Sequence, residues 1–142
     1  MKFVLDASVA LSWLLEDAGP GQAYAAGVFE TLKHASSVAH VPVTWGLEVA
    51  NVIAKSEARA LLLDNRSQAF LSMIAACPIR YDGQTHASAL GETLRLARRF
   101  HLSAYDASYL ELALRLGLNI ATLDGDLLSA ARRAGVKRLD PK

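Results

Sequence analysis

The stretch MKFVLDASVAL, residues 1–11, decides the fold. Phe3, Val4 and Leu5 make a short apolar run that reads as a central strand. Asp6 falls at its carboxyl end, and Ser8 offers an N-cap for a helix carrying Val9, Leu11, Trp13, Leu14 and Leu15. Open parallel sheets bind ligands beyond the carboxyl ends of their strands, at the point where strand order reverses. An Asp after a strand is also a common turn or cap residue, so its meaning depends on what the rest of the chain delivers to it.

A chain of 142 residues is the size of one domain, 1–142, and buries roughly 70% of its unfolded surface unaided. Fifteen basic and fourteen acidic residues leave a formal charge of +1. No global field marks a nucleic-acid binder, and any such recognition has to be local. Cys77 is the only cysteine, which excludes an intrachain disulfide and a thiolate metal cluster; it reads as a small core residue in a reducing compartment. No uncharged run approaches the roughly eighteen residues of a membrane span. Lys2 and the apolar residues after it superficially suit a secretory signal, but Asp6 interrupts them. The start is therefore expected to be mature strand, and the protein cytoplasmic.

Further along, residues 16–21 (EDAGPG) punctuate the chain, and a helix over 22–34 buries Ala25, Val28, Phe29 and Leu32. A second strand is expected over 38–43 with Pro42 at its end, then a helix over 45–60 that Thr44 caps and that carries Trp45, Val49, Val52 and Ile53 inward. A helix over 64–76, a weak strand over 79–81 and a helix over 84–100 follow. Ser103 starts the clearest helix, which Gly117 stops. A fourth strand over 119–123, a helix over 127–134 and an edge strand over 136–139 complete the pattern. Alternating strands and helices predict an α/β fold: a parallel sheet of four or five strands with both faces covered.

Asp6 and Asp124 each follow an apolar strand, whereas Glu48 and Asp106 each lie in the first turn of a helix. If the second and fourth strands flank the first, the order reverses there, and a crevice above Asp6 gathers all four carboxylates. Each acid also has a plain structural reading. Asp106 completes a capping box begun by Ser103, Asp124 or Asp126 caps the last helix, and Glu48 faces its own helix dipole. Together these readings are less satisfying, because Glu48 and Asp106 border apolar stripes where an unpaired charge is costly. Grouped carboxylates repel unless a cation joins them, and oxygen-only donors favour Mg²⁺ or Mn²⁺ over Zn²⁺. Such a centre suits phosphodiester hydrolysis. Asp6, Asp106 and Asp124 are the candidate metal ligands, and Glu48 ligates or orients the attacking water.

Ser8 and Thr122 are placed to hydrogen-bond the carboxylates, and Asn51 to position Glu48 or a phosphate, though each residue is also a common cap or surface group. His34, His40, His86 and His101 show no ligand spacing. Arg95, Arg98 and Arg99 suit a solvated helix end, and Tyr105 and Tyr109 suit packing better than base stacking. Two other readings remain open from the residues: a phosphatase with Asp6 as nucleophile, and a binding module without turnover whose acids are caps. The first lacks the second Asp of a DxD arrangement, since position 8 is Ser.

The whole chain resembles the PIN-domain ribonucleases, and within them the VapC-type toxins of bacterial toxin–antitoxin pairs. The stretches that carry the likeness are FVLDASVALSWLLED, VPVTWGLEVANVI, LSAYDASYLELALRLGL and ATLDGDLLSAARRAGV. The resemblance implies a three-layer PIN-like domain and a catalytic quartet on Asp6, Glu48, Asp106 and Asp124, with Asp126 as an additional acid. It also implies supporting hydroxyls on Ser8 and Thr122, and Asn51 as the polar residue one turn after the glutamate. Further implications are Mg²⁺ or Mn²⁺ dependence, a homodimer, an RNA substrate, and inhibition by a VapB-like antitoxin.

Overall fold

The computed structural model describes residues 1–15 and 19–141. Its elements are β1 (Lys2–Leu5), α1 (Ala7–Leu14), α2 (Pro20–Leu32), β2 (Val38–Val41), α3 (Trp45–Ala58), α4 (Asp64–Ala76) and β3 (Ile79–Tyr81). They continue through α5 (Thr85–Ser88), a π-helical stretch (Ala89–Thr93), α6 (Leu94–Phe100), α7 (Ala104–Leu116), β4 (Asn119–Ala121) and α8 (Gly125–Arg133). The sheet runs β3-β2-β1-β4 with every pair parallel. Phe3 pairs with Ala39 on one side and Asn119 on the other, so β1 is central and the order reverses there. Phe3, Val4 and Leu5 are wholly buried, each contributing ~1.5–3 kcal/mol of apolar burial. Helices flank the sheet: α1 packs on α2, α3 and α4, and α7 lies against β1 and β4. The three-layer α/β expectation stands.

Several boundaries move for local reasons. Pro42 lacks an N–H, and β2 stops at Val41. The α2 helix begins at Pro20, whose fixed φ suits a first helical position; the break foreseen over 16–21 lies partly outside the described residues. The single helix foreseen over 84–100 is interrupted by the π-helical stretch. The foreseen fifth strand over 136–139 reduces to one parallel bridge, Ile120 with Arg138. It is held by Ile120 N donating to Lys137 O (3.0 Å) and Leu139 N to Ile120 O (2.7 Å).

Ser103 does cap α7, accepting from Asp106 N at 3.1 Å, and Gly117 (φ 66°) closes it in the left-handed conformation glycine tolerates. Thr44 does not cap α3: its hydroxyl is buried without a hydrogen-bond partner among the described residues. Cys77 is half-buried rather than in the core. No helix among the described residues is long and apolar enough to cross a membrane.

Candidate active site

At the carboxyl end of β1, Asp6 leaves the sheet with its N–H donating to Ala121 O at 2.9 Å, so the backbone ties β1 to β4 where both strands end. Its side chain is 4% exposed. Two hydroxyls reach the same carboxylate oxygen: Ser8 Oγ donates to Asp6 Oδ2 at 2.6 Å and Thr122 Oγ1 at 2.7 Å. Each hydroxyl also accepts from the loop after β4, Ser8 Oγ from Leu123 N (3.0 Å) and Thr122 Oγ1 from Asp124 N (3.0 Å). The loops after β1 and β4 are thus stitched through one carboxylate. Ser8 is not the N-cap of α1. Asp6 holds that position without a side-chain capping bond, and the Ser8 hydroxyl is spent on the long-range link instead.

The other acids reach the site from helix starts. Asp124 is the N-cap of α8, its Oδ1 accepting from Leu127 N at 2.8 Å, so the capping reading holds for this residue. Glu48 and Asp106 sit in the first turns of α3 and α7, and both are half-buried. Tyr109, one turn beyond Asp106, is fully buried, and its hydroxyl donates to Glu48 Oε1 at 3.0 Å while accepting from Ala7 N at 3.4 Å. That contact connects α7, α3 and the start of α1. Sequence reasoning assigned Tyr109 to packing alone; its buried spacing gave that reading, and only the polar tip shows the second role.

The acids act on one another. Burial is the main cause that raises Asp6, with the Ser8 and Thr122 hydroxyls opposing and the charge of Asp124 adding to it. Burial pushes Glu48 up to about 7 despite the Tyr109 hydrogen bond, with Asp6 and Asp106 contributing. Asp106 is pushed up to about 6 by burial, then by the charges of Asp124 and Asp6, and in smaller part by Asp126. Burial, with the negative charges of Asp6 and Glu48, raises the Tyr109 phenol, so it remains a donor at any working pH.

The structure therefore brings Asp6, Glu48, Asp106 and Asp124 into one electrostatic cluster with Ser8 and Thr122 inside it and exposed Asp126 at its margin. Asn51 is exposed and lines an adjoining groove.

None of the four acids joins an ion pair among the described residues. Their like charges are uncompensated, and the donors are all oxygens, which fits a hard divalent cation. Among the described residues, no three side chains are arranged as a ready set of metal ligands.

A family model described as PIN domain matches residues 3–133, which takes in all four acids. The chain belongs to the PIN-domain family. Among solved structures, this PIN domain is similar to the crystal structure of PAE2754 from Pyrobaculum aerophilum. The two are 23% identical with a TM-score of 0.65 over 92% of this chain and 79% of that one. At that identity the likeness carries the fold. No curated protein matches the chain. PIN domains are a nuclease-associated family, and the cluster above β1 lies at the reversal of strand order, where open parallel sheets bind ligands.

Proposed function

We propose that this PIN domain is a metal-dependent endoribonuclease and a VapC-type toxin, acting as a homodimer and neutralised by a VapB-like antitoxin. The observation that supports the chemistry is a buried Asp6, oriented by two hydroxyls and close to other carboxylates, none of which joins an ion pair among the described residues. A structural cap needs no such company; capping accounts for Asp124 and leaves Asp6, Glu48 and Asp106 unexplained. The toxin and partner assignments rest on the motifs around Asp6, Glu48, Asp106 and Asp124 and on their order along the chain.

In this reading Asp6, Asp106 and Asp124 would hold Mg²⁺ or Mn²⁺, which when bound would supply positive charge to the scissile phosphate and make an attacking water more acidic. Glu48 has one oxygen fixed by Tyr109 and the other left to take the proton of that water. Ser8 and Thr122 keep Asp6 in one orientation by holding its Oδ2. Asp126 adds negative charge at the rim.

The test is cleavage of a mixed pool of structured RNAs by protein freed of any partner. Cuts are expected in Mn²⁺, and none in EDTA or with Asp6→Asn. Cutting that persists in EDTA, or in the variant, contradicts the assignment.

A further inference from the structure

Next to Glu48 the surface carries a groove of about 820 Å³ that the chemistry above does not use. Leu47, Ala50 and Asn51 of α3 line it with Tyr105 of α7 and Thr44, and Glu48 belongs to both the groove and the acid cluster. Tyr105 is 63% exposed and Leu47 73%, so two large apolar side chains stand in solvent beside Glu48, the group assigned to the attacking water. The packing role expected for Tyr105 is therefore not met. Its ring pairs with no other ring and no cation among the described residues.

A recess of about 140 Å³ shares Thr44 and Tyr105 with the groove and extends to Thr93 and Ser108. The hydroxyls of Thr44 and Thr93 are buried without hydrogen-bond partners among the described residues. Ala89 and Thr93 reach this recess from the π-helical stretch, a rare geometry that is frequent at functional sites.

We propose that this groove is the subsite for one unpaired nucleobase of the RNA, that of the nucleotide next to the cut phosphate, stacked on Tyr105 and read at its edge by Asn51. The subsite rests on the nuclease reading. Single-stranded RNA is recognised by splaying bases onto aromatic rings and hydrogen-bonding their edges. An Asn side chain offers both a donor and an acceptor for that purpose. The charge balance points the same way. None of the residues lining the groove is basic, so recognition within it falls to contacts with a base rather than with a phosphate. Base stacking is independent of charge and fills that need.

Binding of short single-stranded oligoribonucleotides, measured by fluorescence anisotropy in EDTA so that nothing is cut, tests the subsite. Tyr105→Ala is expected to weaken binding about tenfold or more, Tyr105→Phe to change it little, and Asn51→Ala to reduce discrimination among bases. Removing one base from the RNA should cost the wild type as much as Tyr105→Ala does, and cost that variant nothing further. Tyr105 is exposed, so an unchanged Tm checks that the variant is folded. Wild-type protein that binds and cuts RNA, with Tyr105→Ala doing both equally well, overturns the subsite alone and leaves the groove to a protein partner. Wild-type protein that neither binds nor cuts RNA overturns the nuclease reading and the subsite with it.

Discussion

Asp106→Asn is expected to reduce RNA cleavage about a thousandfold while making the metal-free protein more stable. Several kcal/mol of transition-state stabilisation by a bound cation, at about 1.4 kcal/mol per tenfold in rate, sets the size of the first effect. The second follows from charge. Asp106 is half-buried and repelled by Asp124, Asp6 and Asp126, and a neutral amide of the same shape escapes that repulsion. Its backbone N–H still reaches Ser103 Oγ, so the start of α7 is retained.

The pH dependence has a definite sign. Glu48, raised to about 7, and Asp106, raised to about 6, hold protons in the folded chain that the unfolded chain has already released. Metal-free stability therefore falls as pH rises from the ordinary carboxylate range to about 7. Both groups meet solvent, which screens the effect to about 1 kcal/mol each. Melting in EDTA across that range should show Tm falling by a few degrees in the wild type and by less in Asp106→Asn. A clear loss of metal-free stability in the variant would make Asp106 a structural residue.

The largest loss of stability is expected from Arg115→Ala. Arg115 Nε donates to Glu111 Oε1 at 2.7 Å, and its Nη1 and Nη2 donate to Asp82 Oδ1 and Oδ2 at 3.1 and 2.7 Å. Asp82 follows β3, so this fork ties the end of α7 to the sheet and holds the helix that carries Asp106 and Tyr109. Glu111 is 4% exposed and the Asp82 side chain 9%. Burial alone would raise Asp82, but the Arg115 and Thr85 hydrogen bonds hold it below the usual carboxylate range.

Removing the guanidinium takes the counter-charge from buried Glu111 and from half-buried Asp82, which keeps only the Thr85 hydroxyl among side chains; breaking such a pair costs up to ~3–5 kcal/mol and lowers Tm by about 10 °C. In the wild type, the Asp82 contribution is present above its unfolded pKa and fades as pH falls through the folded value. In the variant this pH dependence should be diminished. Arg95→Ala is the control: its pair with Glu92 is exposed, and such a pair contributes less than ~1 kcal/mol. Equal melting of Arg115→Ala and wild type would remove the fork from the account of how α7 is held.

The residues around Asp6 were the most legible part of the chain. An apolar run ending in an acid also suits a turn or cap, and it is the placing of strands two and four on either side of the first that locates the reversal. Hydroxyl roles were harder, because the Ser8 hydroxyl is equally suited to capping its own helix and to reaching Leu123 N, 115 positions away. Nothing local separates the two. Tyr109 was half-legible: its spacing shows burial, but its bond to Glu48 spans 61 positions. Tyr105 misled for a geometric reason, since a residue four positions before a buried one shares its helix face, yet in the first turn of α7 it projects beyond the packed region. Across the π-helical stretch apolar spacing does not give the buried face: Leu90 is 89% exposed, and Thr93 is the buried residue. Val136 to Leu139 has the composition of a strand and too few backbone bonds to make one.

The central claim is that the acids above β1 form one cation site, and calorimetric titration of the purified protein with Mn²⁺ tests it most directly. Run near pH 6 in buffers of different ionisation enthalpy, the titration should show binding accompanied by proton release, because Glu48 and Asp106 are both partly protonated there and a cation favours their ionised forms. The same titration of Asp6→Asn should show that binding abolished or greatly weakened. A folded wild type that takes up no Mn²⁺, or an Asp6→Asn variant that binds it as well as the wild type, would contradict the account.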